Sequence, residues 1–142
     1  MRAIPAPATA AVGEFCWLDL AATDAVVARR FYRNMFGWSA HERSANSGRF
    51  THLRLAGCEV GSLYQLSNHV LERGAPSHWL PYVRVGDIET SARRTSQHGG
   101  QVLVRPFEVE GVARIALILD AIGAQVGLWQ PIERPDEATN DG

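Results

Sequence analysis

Lysine is absent from the 142 residues, so all 14 basic side chains other than histidine are arginine. Against 15 acidic residues they leave a formal net charge of -1, which excludes the broad basic field that a nucleic-acid backbone needs. Cysteine is scarce. Cys16 and Cys58 both sit in apolar, strand-like stretches and read as two buried free thiols, not as a disulfide framework. No apolar run approaches the roughly 18 to 20 residues of a membrane-spanning helix. The Ala- and Pro-rich segment 1–13 lacks the continuous apolar core of a secretory leader, so a cytoplasmic protein is expected. A phosphate-cradling glycine loop is also missing, because Gly99-Gly100 follows a helical pattern instead of preceding one. Spacing assembles no Ser-His-Asp or Cys-His set.

What is present is an ordinary globular composition, 46% apolar and 20% charged, at a length that suits one domain with a proper core. Segment 1–13 reads as a flexible arm and 132–142 as a flexible acidic tail. Between them the apolar stretch Glu14 to Leu20 reads as a strand, Thr23 and Asp24 are the helix-cap candidates, and a helix is expected over 25–35. Val26, Val27, Phe31 and Met35 recur near the helical period and predict its buried stripe, with Phe31 and Tyr32 packing helix on sheet. Gly37 suits the helix end, and strands are expected over 38–43, 49–55 and 60–66. The order then repeats: a strand over 79–85, Asp87 as cap, a helix over 88–97, and strands over 101–105, 112–119 and 124–130. The arginine pairs Arg29/Arg30 and Arg93/Arg94 read as solvated helix faces.

The halves align on themselves. Asp87 follows Asp24 by the same interval, 63 residues, as Gly100 follows Gly37, and each half closes on Leu, an aromatic residue and Gln: Leu63-Tyr64-Gln65 and Leu128-Trp129-Gln130. An internal repeat is strong evidence about architecture. The expected fold is α+β, two tandem βαβββ modules (14–67 and 78–131, within one domain 14–131) forming a curled mixed sheet around a pocket.

Leu18-Asp-Leu-Ala-Ala-Thr-Asp24, then Phe31-Tyr32, then Met35-Phe-Gly-Trp38, resembles the opening of the glyoxalase/bleomycin-resistance/extradiol-dioxygenase (vicinal oxygen chelate) superfamily. Val85-Gly-Asp87 through Gly99-Gly100 is similar to a second such opening, and Leu119 through Pro131 to its closing hairpin. The closing Gly-Leu-Trp-Gln-Pro is similar to the hydroxylase-like or antibiotic-binding subgroup. The resemblance implies ligands for a divalent metal on the first and last strands of the modules. At those positions this chain has Trp17, Ser62, Leu80 and Gly127. Three of these side chains cannot ligate and neutral serine is a poor donor, so neither metal nor cofactor is expected there. His41, His52, His69, His78 and His98 are scattered without metal-ligand spacing.

Strand alternation, anchored on those positions, labels the residues that share their face. Trp17, Ser62, Tyr64, Leu80, Gln125, Gly127 and Trp129, with Arg114 less firmly, are the candidate ligand-binding residues. Asp19 is the candidate acid or base, with Tyr82 and Arg84 as its polar partners. Gly127 would leave room for a ligand ring. Aromatic walls with few polar groups suit a small aromatic or polyketide-like molecule. Four readings stay open: a metal-free binder, in resistance or secondary metabolism; a metal-independent cyclase, isomerase or hydroxylase-like enzyme; a metal-dependent lyase or dioxygenase; and a ligand-free module that dimerises. Expected partners are a small aromatic molecule and a second copy in a homodimer, with no nucleic acid and no membrane.

Overall fold

The computed structural model describes residues 9–45 and 48–132. Most of the expected arm and the acidic tail from residue 133 lie outside them. The chain divides into two compact units, Trp17–Pro81 and Met1–Cys16 with Tyr82–Gly142. Each unit is α+β.

The first unit carries β1 (Phe15–Ala22) from Trp17 on, α1 (Ala25–Phe36), β2 (Ser39–Ala45), β3 (Gly48–Leu55), β4 (Cys58–Gln65) and the short α2 (Asn68–Glu72), which the sequence patterns did not signal. Its strands lie in the order β2-β3-β4-β1, with β1 parallel to β4 and the other pairs antiparallel. Asp24 starts α1 by accepting from Val27 N at 3.1 Å. Gly37 stops it in the left-handed region, φ 77°, which costs a side-chain-free residue nothing.

Leu20, Ala22, Leu53 and Leu63 form the core under α1, packed against Ala25, Ala28 and Tyr32. Burying each leucine contributes about 1.5–3 kcal/mol. The expected stripe on α1 is therefore a correction. Val26, Val27, Phe31 and Met35 are all more than half exposed, and the helix turns its small residues and Tyr32 to the sheet. Alanines let the helix sit close, and Tyr32 fills the remaining space by stacking on Trp38, with ring centres 5.0 Å apart. The Tyr32 hydroxyl accepts from Trp79 Nε1 at 3.1 Å.

The second unit carries the end of β5 (His78–Arg84), from Tyr82 on, with α3 (Ile88–Gln97), β6 (Gln101–Val109), β7 (Ala113–Leu119) and β8 (Gln125–Pro131). The order β5-β8-β7-β6 matches that of the first unit, strand for strand, including the parallel pair of first and last strands. Ile88, Ala116 and Leu128 form its core. The repeated closing glutamine has a structural cause. Gln65 Oε1 accepts from Ala25 N at 2.8 Å and Gln130 Oε1 from Ile88 N at 2.9 Å. Each satisfies the first N–H of its module's helix, a group with no partner inside the helix.

Two further expectations change. Residues 10–13 are not loose: Ala10 is buried, Arg84 Nη1 donates to its carbonyl at 2.6 Å, and Gly13 N donates to Arg84 O. Cys58 is exposed, because it directly follows the Ala56-Gly57 turn, whereas Cys16 is buried.

Candidate functional site

The sheet of the first unit has two unlike faces. Leu20, Leu53 and Leu63 point toward α1, so alternation turns Trp17, Asp19, Ser62 and Tyr64 to the other face. Asp19 lies directly beside Ser62 across the parallel pair, and Ser62 lies opposite His52 across the next pair. Trp17 Nε1 donates to Ser62 Oγ at 2.7 Å, and Ser62 Oγ donates to Asp19 Oδ1 at 2.9 Å. The serine thus receives one proton and passes on its own, and each bond polarises the next. Burial pushes the Tyr64 phenol up from its ordinary pKa, and the Asp19 charge adds to the effect. Tyr64 therefore keeps its proton at neutral pH and can donate to a ligand.

His52 and Glu59 extend this face, and sequence reasoning missed both as a pair. The β3–β4 turn pairs Leu55 with Cys58 and Arg54 with Glu59, but then Leu53 pairs with Gly61, so Val60 is an extra residue. That bulge turns both Glu59 and Ser62 to the His52 side, although an odd interval separates them. Glu59 Oε2 lies 2.9 Å from His52 Nδ1, and Arg54 Nε donates to Glu59 Oε1 at 3.0 Å. Burial opposes the Glu59 charge, but the bonds and charges of His52 and Arg54 outweigh it and hold the carboxyl below its usual range. His52 Nε2 is buried with no hydrogen-bond partner among the described residues, and the ring meets the Trp17 indole edge-on at 5.9 Å. Regular alternation gave no signal of this pairing. A bulge is invisible without the register.

In the second unit, Tyr82 and Trp129 meet edge to face at 5.7 Å, both buried. A Cβ at Gly127 would lie 2.2 Å from the Tyr82 ring. The room expected over Gly127 for a ligand is thus taken by Tyr82. Arg84 is committed at Nη1 to the Ala10 carbonyl. Arg114 shares the helix-facing side with Ala116 and donates to Glu89 Oε1 of α3 at 2.6 Å, so it leaves the set of ligand-face residues. Its parity was unanchored in the sequence, and the ion pair with α3 decides it. Gln125 is exposed at the start of β8, and Leu80 is buried.

The four implied metal positions do not fit a metal. Trp17 is a hydrogen-bond donor, Ser62 is engaged with Trp17 and Asp19, Leu80 is buried hydrocarbon, and Gly127 sits under Tyr82. Among the described residues no group of three or more His, Cys, Asp or Glu could hold an ion. No helix of the described residues is long and apolar enough to cross a membrane.

No family model matches the chain. A Mycobacterium tuberculosis protein provisionally named a glyoxylase is 32% identical over 116 residues, covering 80% of this chain and 44% of its own length. The anthracycline biosynthesis protein DnrV of Streptomyces peucetius is 27% identical over 134 residues, covering 84% of this chain and 48% of its own. The chain thus spans about half the length of these relatives. Among solved structures, methylmalonyl-CoA epimerase from Mycobacterium tuberculosis has a TM-score of 0.60 at 21% identity, covering 89% of this chain and 91% of that one. A Streptomyces coelicolor methylmalonyl-CoA epimerase has a TM-score of 0.60 at 17% identity, covering 87% of this chain and 100% of that one. The doubled βαβββ order, the capping glutamines and these relatives agree: the chain belongs to the glyoxalase/bleomycin-resistance/extradiol-dioxygenase superfamily.

Proposed function

We propose that the protein binds a small aromatic, polyketide-like molecule without a metal, in resistance or secondary metabolism, in the cytoplasm. One observation carries this reading. At the first unit's two positions where the superfamily resemblance implies metal ligands stand an indole and a hydroxyl bonded to each other, and the hydroxyl is bonded in turn to the neighbouring Asp19 carboxylate. That arrangement offers a flat ligand an aromatic edge at Trp17, a carboxylate acceptor at Asp19 and a phenol donor at Tyr64. The name of the anthracycline biosynthesis relatives supports the ligand class. In the second unit, Tyr82, Arg84, Gln125 and Trp129 remain candidates on their own face.

The test is a fluorescence titration of the purified chain with a panel of flat aromatic molecules that includes an anthracycline. Saturable binding should survive a chelator and weaken about tenfold or more in Asp19→Asn, the scale of one charge-assisted hydrogen bond. A stoichiometric divalent metal in the purified protein, required for binding, would overturn the proposal.

The Glu59–His52 pair favours a second reading, a metal-independent enzyme of proton transfer. A carboxylate that holds Nδ1–H leaves Nε2 as the basic nitrogen, and Asp19 on the same face is a second acid or base. Turnover of a bound ligand, lost in His52→Gln with binding retained, would select this reading over simple binding. A homodimer is part of the proposal. The exposed flank Val27, Phe31 and Met35 is the kind of apolar surface that a second copy covers. A monomer mass by sedimentation at micromolar concentration would refute that part.

A further inference from the structure

Helix α1 has three distinct sides. Ala25, Ala28 and Tyr32 face the core, and Val27, Phe31 and Met35 form an exposed apolar flank. On the flank toward β2, Arg29, Arg30 and Arg33 line a cavity of about 500 Å³ together with Val26. Trp38, Ser39 and Ala40, entering β2, complete the lining. This cavity lies on the helix side of the sheet, away from the Trp17–Asp19 face.

The charges in it do not balance. Glu42 Oε1 approaches Arg29 Nη1 at 3.5 Å, with both side chains exposed. Among the described residues Arg30 and Arg33 have no carboxylate partner. Arg29 and Arg33 are four apart and Arg30 and Arg33 three apart, spacings at which like charges oppose a helix. The fold does not require this arrangement. In α3, the second copy of the same helix, Glu89, Ala92, Arg93 and Ser96 hold the positions of Val26, Arg29, Arg30 and Arg33. There Glu89 pairs with Arg114, and Arg93 Nη2 donates to Thr90 Oγ1. Three arginines around one cavity belong to the first module alone.

We propose that the α1–β2 cavity is a binding site for an organic phosphate. Guanidinium forks match phosphate oxygens, and three of them against one exposed carboxylate suit a dianion. The edge of Trp38, Val26 and Ala40 cover the organic portion. The cavity volume falls within the usual range for a small-ligand site, roughly 300–1,000 Å³.

The experiment titrates the whole chain with phenyl phosphate, inorganic phosphate and benzoate, followed by calorimetry and by the Trp38 indole N–H resonance. Phenyl phosphate should bind more tightly than about 1 mM, ahead of inorganic phosphate and of benzoate, and weaken as salt is added. The double variant Arg30→Ser/Arg33→Ser should lose about tenfold or more in affinity with an unchanged melting temperature, since both side chains are exposed. Arg93→Ser on α3 should bind as the parent does. No saturable binding, binding unchanged by the double variant, or benzoate held as tightly as phenyl phosphate would each overturn the proposal. Because the readout is Trp38 and not Trp17, failure here leaves the aromatic-ligand reading standing, and the reverse holds.

Discussion

The indole N–H of Trp17 donates to the Ser62 hydroxyl at 2.7 Å, joining the first strand of the module to its last at two positions where the superfamily resemblance implies metal ligands. A cross-strand hydrogen bond thus holds this part of the sheet where a metal would otherwise bridge it. Ser62→Ala removes the acceptor of a buried indole donor and should cost about 1–3 kcal/mol, read as a lower melting temperature. Ser62→Thr, which keeps the hydroxyl, should recover part of that loss if its added methyl fits. A Ser62→Ala protein as stable as the parent would show that the bond contributes nothing.

Trp17 and Trp129 are 9% and 8% exposed, so truncating either to alanine empties core volume and should cost about 3–5 kcal/mol. Trp17→Phe separates binding from folding. It keeps most of the packing and deletes the N–H that Ser62 accepts, so it should cost less stability than the alanine truncation, and an aromatic ligand should bind the folded variant more weakly than the parent, read by fluorescence titration.

The sequence made the module order legible because caps and turns are local. Asp24, Asp87 and Gly37 each mark a helix end through chemistry contained within one turn. The face carrying Trp17, Asp19 and Ser62 was legible because the superfamily resemblance anchored Trp17 and Ser62, and alternation along β1 then added Asp19. What failed depended on information outside the segment. The helical period shows that α1 has an apolar side but not which side meets the sheet, and Ala25, Ala28 and Tyr32 won over Val27, Phe31 and Met35. The bulge opposite Leu53/Arg54 turned Glu59 onto His52, and no local pattern announces it. Arg114 sits on a strand without an anchored parity, and its partner Glu89 is 25 residues away.

The two cysteines should react very differently. Burial pushes the Cys16 thiol up to about 11, with the nearby Arg84 charge opposing only part of the shift. Cys58 is exposed. Since the thiolate is the nucleophile, the folded protein at pH 8 should label rapidly at Cys58 and slowly at Cys16, with Cys16 reached on denaturation. Equal labelling of both in the folded state, read by peptide mass, would contradict the burial of Cys16.

Acid should weaken the first unit through Glu59. Its carboxyl is held below the usual range in the folded state, so the folded form binds that proton less readily than the unfolded chain. The contribution to stability is complete above the ordinary carboxylate range and disappears as pH falls through the depressed folded value. Melting temperatures taken from neutral pH downward should therefore fall more steeply for the parent than for Glu59→Gln. Parallel curves would mean that His52 and Arg54 do not hold the charge.

Gly127 and Tyr82 form a coupled pair. A Cβ at position 127 would meet the Tyr82 ring at 2.2 Å, far inside contact distance, and Tyr82 is only 3% exposed, so the ring has little freedom to move aside. Overpacking of this kind costs about 1–3 kcal/mol. Gly127→Ala should be destabilising alone, and so should Tyr82→Ala, which leaves a cavity. In combination the new methyl enters the space the ring has left, so the double variant should be more stable than the sum of the two losses implies. Gly61 is the contrasting case. A Cβ there would meet the Leu18 carbonyl oxygen at 2.5 Å, a backbone atom that no substitution can remove. Gly61→Ala should therefore be destabilising with no side-chain change able to rescue it. Strict additivity of the Gly127 and Tyr82 losses, measured by denaturant unfolding of all four proteins, would show that the two positions are not in contact.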